Sequence, residues 1–245
     1  MAIHDYKTAL VTGASSGVGA ACTRSLCAVG LKVIAAARRK DRLDELAAET
    51  GCEPLVLDLK DTDAVYDALG TLEVDVLVNN AGLGRGYEGF LKSSSDEIDE
   101  MIDLNVSAAI HAVRAVLGGM VERGRGHLVH ISSIAGLYPL GFPVYGGTKG
   151  AIHLFSQHMR MELSGSGVRQ TEICPGRIAT EFFATAFKTQ AERDAFMDGF
   201  EALTAEDVAD AVLYTLGTPK HVNVSLIELT PTQQAPGGAI IEGQK

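Results

Sequence analysis

A glycine-rich turn near the amino terminus constrains this chain more than any other stretch. Thr8-Ala-Leu-Val11 is a short apolar strand that runs straight into Thr12-Gly-Ala-Ser-Ser-Gly-Val-Gly19, and Ala20, Ala21, Leu26 and Val29 behind it keep helical spacing. Gly13, Gly17 and Gly19 let the turn take positive φ and bring backbone N–H groups against a pyrophosphate at the positive end of the helix. Ser15, Ser16 and Val18 stand between them as further contacts. A strand, glycine turn and helix in this order open a doubly wound α/β sheet that binds a dinucleotide. The spacing G-x-x-x-G-x-G is not the G-x-G-x-x-G of other dinucleotide binders.

The rest of the chain repeats that alternation. Lys32–Ala37 predicts a second strand, Pro54–Asp58 a third, and Val74–Val78 a fourth that ends in Asn79-Asn80-Ala81-Gly82. His127–Ile131 predicts a fifth strand, Arg169–Cys174 a sixth that stops at Pro175-Gly176, and Val222–Leu229 a seventh. A long amphipathic helix from about Asp96 to Leu117 carries Asn105 in its middle, where a poor helix former is unexpected. Thr204 stands three residues before Asp207, which predicts a capped helix start. Seven strands and about six helices, with no repeat or long linker, predict one domain over residues 1–245 built on a single doubly wound parallel sheet.

Composition narrows the partners. A net charge of -10 argues against nucleic acid or an anionic membrane surface, either of which selects a basic patch. Cys22, Cys27, Cys52 and Cys174 lack paired metal-ligand spacing and read as reduced thiols, with no metal implied. The start M-A-I-H-D-Y-K lacks the apolar segment of a signal peptide, and no later run reads as long enough to span a bilayer. The expectation is a soluble cytoplasmic protein with a small ligand.

At the end of the second strand, where NAD-binding domains place an acid on the ribose hydroxyls, stands Ala37, followed by Arg38 and Arg39. No carboxylate repels a 2'-phosphate there, and Arg38 offers a planar fork suited to it, so NADP is expected over NAD. The plain alternative is that both arginines start a solvated helix.

The chemistry sits between Ile131 and Lys149. Tyr145 and Lys149 are four apart, so a helix from Val144 through Phe155 puts both on one face. An ammonium so placed favours the phenolate: bringing a tyrosine from about 10 to near neutral takes roughly 4 kcal/mol, which Lys149 together with a bound cationic nicotinamide can supply. Tyr145 is therefore expected to donate and accept a proton near neutral pH.

These motifs together, T-G-x-x-x-G-x-G, N-N-A-G, a serine and Y-x-x-x-K, resemble the short-chain dehydrogenase/reductase family over Thr8 to about Gln234. The ending L-T-P-T-Q-Q is similar to its NADP-dependent 3-hydroxy acid dehydrogenases and carbonyl reductases. The resemblance implies a hydride-transfer site of Asn105, Ser133, Tyr145 and Lys149, with Lys149 on the nicotinamide ribose and Asn105 locally breaking its helix to hold a water that links Lys149 to solvent. It further implies that Asp58 and Leu59 contact adenine, that Asn80, Ala81 and Gly82 line the adenosine ribose, and that Pro175, Gly176, Ile178 and Thr180 orient the carboxamide. For Asp58 the alternative is a helix N-terminal acid.

One departure stands out. The family's serine usually lies thirteen residues before the tyrosine, the place of Ser132, whereas the I-S-S-x-A-G pattern aligns Ser133, twelve before. Ser133 is taken here, with a loop one residue shorter, and Ser132 is the alternative.

A helical substrate lid is implied at about residues 181–203, with Phe182, Phe183, Phe187, Phe196 and Phe200. Arg85 and Arg177 face the substrate side and suit an anionic group, the alternative being solvated loop residues. The function expected is NADP(H)-dependent hydride transfer to a small carbonyl or hydroxy compound, a 3-oxo or 3-hydroxy acid or semialdehyde. The alternatives are a broad carbonyl reductase of hydrophobic ketones and a non-catalytic NADP(H) sensor. A homotetramer or homodimer is implied by analogy, and the tail from Ala235 is expected to be loose or to pack on a neighbour.

Overall fold

The computed structural model describes residues 3–86, 89–182, 187 and 189–235. Seven parallel strands form one sheet: β1 (Thr8–Thr12), β2 (Lys32–Ala37), β3 (Glu53–Val56), β4 (Val76–Asn79), β5 (Gly126–Ile131), β6 (Val168–Pro175) and β7 (Leu226–Leu229), in the order 3-2-1-4-5-6-7. Strands β4 and β5 are buried along their whole length, as a sheet covered on both faces requires. One face packs on α1 (Gly17–Ala28), α2 (Lys40–Thr50) and α8 (Ala205–Gly217), through Ala9, Val11 and Ile173. The other packs on α3 (Thr62–Leu69), α5 (Ala109–Glu122) and α6 (Pro143–Glu162), through Leu10, Leu77 and Leu128.

The strand order reverses between β1 and β4, so their carboxyl ends part and leave a crevice there. The element starts are locally encoded. Thr204 caps α8 through the expected capping box with Asp207, and Asp61, rather than Asp58, caps α3. Asp58 instead accepts from Lys60 N at 3.1 Å in the turn beyond β3.

The long helix is α4 (Ser95–Ile102), a π turn over Asp103–Ala108, and α5, without a break. Its 28 residues are long and apolar enough to cross a membrane by length and composition, which corrects the reading that no run is. The π turn joins two shorter helices into one rod. Its apolar inner face, including Ala112, Val113, Val116 and Met120, belongs to the core beneath the sheet.

Of the expected lid, the structure describes α7 (Gln190–Met197), capped by Thr189, and an Ile178–Leu203 bridge that ties the segment's two ends together. Phe183 lies outside the described residues, as does the tail beyond Ala235.

Candidate active site

The crevice opens into a cavity of about 480 Å³ that runs from the glycine turn to α6. At one end, Gly13 (φ 66°) and Gly17 (φ 52°) hold left-handed conformations. Gly19 is needed for a different reason. A Cβ there would overlap Gly13 O and stand 2.6 Å from Asn80 Nδ2, so the first turn of α1 lies directly on the end of β4. Asn80 Nδ2 donates to Thr12 O at 2.9 Å, and Thr12 Oγ1 accepts from Asn80 N and Ala81 N at 3.0 and 3.1 Å, fastening the two strand ends together. Thr12 escaped the sequence reading, although a threonine at the end of a strand opening into glycine is a visible signal.

The start of α1 has no side-chain cap and no acid in its first turn, and Gly17 and Val18 line the cavity, with Glu181 on the same wall 3.5 Å from Arg39 Nη1. Arg39 reaches over this turn. Its Nε and Nη2 donate to Ser15 Oγ at 3.1 and 3.0 Å, and Nη2 also donates to Ser16 Oγ at 2.6 Å. Arg38, the arginine favoured from sequence, lines the cavity beside Ala37, but Arg39 closes on the serines. Asp58, Leu59, Ala81 and Gly82 line the adjoining wall, and Pro175, Gly176, Ile178 and Thr180 the opposite one. This end fits a dinucleotide with an extra phosphate: uncapped amides, glycines that leave room for backbone approach, and an arginine fork beside two hydroxyls.

The other end holds Tyr145 and Lys149, buried on one face of α6 at 8% and 6% exposure. Lys149 Nζ donates to Ile131 O at 3.1 Å and lies 5.9 Å from the Tyr145 ring centroid. The shift expected of Tyr145 counted on a bound nicotinamide as well as Lys149, and the protein by itself does not supply it. Burial pushes the Tyr145 phenol up to about 12, with a hydrogen bond from Ser133 pulling it back, and burial also brings Lys149 down to about 8. The protein alone does not acidify Tyr145, because desolvation outweighs an ammonium that is turned to a backbone carbonyl. Tyr145 is a neutral phenol at physiological pH. Of the two serines, Ser133 lies at the phenol, whereas Ser132, 5% exposed, faces the Cys174 thiol beneath.

Asn105 occupies the π turn, the expected interruption of the helix. Its Oδ1 accepts from Leu83 N and its Nδ2 donates to Leu83 O, both at 2.8 Å, and Nδ2 also donates to Thr148 Oγ1 at 3.1 Å. The carboxamide thus clamps the loop after β4 to α6. A Cβ on Gly82 would come within 3.1 Å of Asn105 Oδ1 and 3.6 Å of Lys149 Nζ, so the glycine leaves room for both. Thr148 was not legible in sequence, because its contact depends on how the two helices dock.

The arginines differ. Arg85 pairs with Glu100 at 3.4 Å, so its charge is met within the chain. Arg177 is half-buried, with Cζ 3.9 Å from the Phe196 centroid and 5.4 Å from that of Phe200, and its Nη1 donates to Phe196 O at 2.8 Å. Burial lowers its pKa. Phe182 lies 5.8 Å from the Tyr145 ring, so the start of the lid segment reaches the phenol. Gln234, also missed, accepts from Arg177 N at 3.0 Å and lines the cavity. Only the fold brings this carboxy-terminal residue to the site.

Comparison with known proteins settles the family. The family model described as short chain dehydrogenase matches residues 7–191. The chain belongs to the short-chain dehydrogenase family. Within it, the chain is 40% identical over 245 residues to the NADP-dependent 3-hydroxy acid dehydrogenase YdfG of Escherichia coli (strain K12), covering 96% of this chain and 99% of that one. A solved closed form of serine dehydrogenase complexed with NADP+ superposes with a TM-score of 0.90 at 40% identity, covering 97% of this short-chain dehydrogenase and 100% of that chain. An alcohol dehydrogenase from the archaeon Thermococcus sibiricus, complexed with 5-hydroxy-NADP, gives a TM-score of 0.79 at 28% identity, with 94% and 98% covered.

Proposed function

We propose that this chain is an NADP(H)-dependent oxidoreductase that moves a hydride between the nicotinamide and a small 3-oxo or 3-hydroxy acid, or a semialdehyde. The observation that carries this is the placing of Tyr145, Ser133 and Lys149 in one cavity with the glycine turn and the Arg39 fork. The 3-hydroxy acid and serine dehydrogenases among its relatives support the substrate class.

The amides at the start of α1 would hold the pyrophosphate, and Arg39 with Ser15, beside Arg38, the 2'-phosphate. Lys149 would hold the nicotinamide ribose, and Pro175 to Thr180 the carboxamide. The bound cofactor supplies the hydride donor or acceptor. Around it, Tyr145 holds the proton on its phenol and delivers it to the oxygen that turns anionic during reduction, while Ser133 hydrogen-bonds the same oxygen. Asn105 keeps the loop after β4 and α6 in register. Arg177 faces the substrate side and pairs with an acid's carboxylate.

Following the absorbance of NADPH and NADH with a panel of 3-oxo acids, semialdehydes and neutral ketones tests this reading. Turnover with NADPH and acidic carbonyls is expected. Preference for bulky neutral ketones would favour a broad carbonyl reductase, and tight NADPH binding without any turnover a sensor. Arg177→Leu is expected to raise KM for an acidic substrate roughly 10-fold or more, the worth of one charge-assisted hydrogen bond, and to leave a neutral ketone nearly unchanged. Equal effects on the two would defeat the acid-anchor assignment.

A homotetramer, or failing that a homodimer, is proposed from the outer faces of α5 and α6. These expose Val121 (42%), Leu154 (54%) and Met161 (77%), apolar area that a second copy would cover. Light scattering that gives the mass of one chain would exclude both.

A further inference from the structure

The Arg39 guanidinium is divided between two kinds of partner. Its Nε and Nη2 donate to the hydroxyls of Ser15 and Ser16, and its remaining nitrogen, Nη1, lies 3.5 Å from Glu181 Oε2. The other oxygen of that carboxylate lies 3.9 Å from Arg42 Nη2, so Glu181 spans two arginines, one just after β2 and one in the first turn of α2. The chain leading to Glu181 is fixed. Ala179 N donates to Leu203 O at 2.7 Å, and Thr180 packs so closely on the glycine turn that a Cβ on Gly17 would stand 3.4 Å from Thr180 Cβ. Glu181 itself is exposed, and the next residue, half-buried Phe182, has its ring centroid 5.8 Å from that of Tyr145. Two consecutive residues thus reach opposite ends of one cavity, the first to the arginine fork and the second to the phenol.

We propose that Glu181 competes with the 2'-phosphate of NADP(H) for Arg39, and that its displacement moves Phe182 at the substrate end of the cavity. This rests on the phosphate position given under the proposed function. A phosphate brings about two negative charges and three acceptor oxygens against the single charge of a carboxylate, so it takes the guanidinium, and the two anions repel each other across it. The pair it breaks is exposed on both sides, 46% at Arg39 and 54% at Glu181, so solvent already screens it and little is lost in breaking it. Glu181 therefore lowers the affinity for NADPH only a few-fold, and leaves alone NADH, which has no phosphate at that position. The larger consequence is positional. Displaced from both arginines, the side chain turns away from the phosphate, and the peptide that joins it to Phe182 turns with it. The substrate end of the cavity then depends on whether the bound nucleotide carries the 2'-phosphate.

The chain contains no tryptophan, so Phe182→Trp supplies a single fluorescent reporter for the test. Adenosine 2',5'-bisphosphate is the probe and adenosine 5'-monophosphate the control, because neither carries the nicotinamide that would touch residue 182 directly. The bisphosphate is expected to shift the emission to longer wavelength, and the monophosphate to leave it where it is. Adding Glu181→Gln is expected to shift the emission before any nucleotide is present and to abolish the response. It should also tighten the bisphosphate about threefold, the scale of one exposed ion pair, with the monophosphate unchanged. Glu181 is exposed, so E181Q takes nothing from the core. Unchanged or weaker bisphosphate binding in E181Q overturns the proposal, the weaker case meaning that Glu181 holds Arg39 in place for the phosphate. An emission that ignores the bisphosphate, or that follows it equally with and without E181Q, overturns it too. Equal affinities for the two nucleotides while Glu181 is intact would overturn the phosphate position along with the proposal, which keeps the two failures apart.

Discussion

Replacing Tyr145 with phenylalanine is expected to lower kcat/KM for carbonyl reduction by about three orders of magnitude, within the range that a positioned general acid supplies. The change removes one oxygen. The ring stays packed against Phe182 at 5.8 Å, and the backbone carbonyl of residue 145 still accepts from Thr148 Oγ1 at 2.8 Å, so α6 keeps its seat. Only the hydrogen bond to Ser133 is lost, at a cost of about 1 kcal/mol in stability. NADPH affinity should therefore hold while turnover collapses, a split that separates proton delivery from folding. The sign of the pH dependence follows from the phenol's environment. Burial raises its pKa to about 12, so the proton-carrying form fills the neutral range and falls away only as pH rises toward that value. Reduction should run at neutral pH, whereas alcohol oxidation, which needs the phenolate, should climb with pH until Lys149 loses its charge. A Tyr145→Phe enzyme that keeps a tenth of its activity would place the acid elsewhere.

Gly19→Ala is expected to weaken NADPH binding by about a hundredfold or more and to destabilise the protein by about 1–3 kcal/mol, as overpacking does. Gly19 is not among the glycines with positive φ, so the penalty is one of space. The added methyl group would meet the backbone of Gly13, whose carbonyl carbon lies 2.8 Å away, and the Asn80 amide that joins β4 to β1. To make room, the first turn of α1 must lift off the strand ends, which turns its amides away from the phosphate position and parts Arg39 from Ser15. Titration of NADPH fluorescence and thermal unfolding measure the two effects separately. An affinity within threefold or so of wild type would mean that the turn yields easily, and that α1 does not hold the pyrophosphate.

Much of this was written locally. The strand, glycine turn and helix at Thr8–Ala28 need only near neighbours to form, and the short runs between turns marked every strand to within four residues at either end. The four-residue spacing of Tyr145 and Lys149 set them on one face wherever α6 came to rest. Asn105 announced a fault in its helix, and a π turn is there.

The errors share a cause. Y-x-x-x-K says nothing of how deeply the pair is buried, nor that Lys149 Nζ donates a hydrogen bond to Ile131 O, so that burial raises the phenol's pKa in the protein by itself. The sequence favours Arg38 for the fork beside Ala37, and only the turn beside β1 puts Ser15 within reach of Arg39. Arg85 looked open to an anion until α4 brought Glu100 against it.

The sequence by itself determined the order of elements, the parallel sheet and the identity of the groups that can do chemistry, because backbone geometry and side-chain spacing are properties of short stretches. The tertiary structure alone decided which of those groups carry charge and which touch. Desolvation and ion pairing depend on everything that surrounds an atom, and most of that surrounding comes from distant parts of the chain.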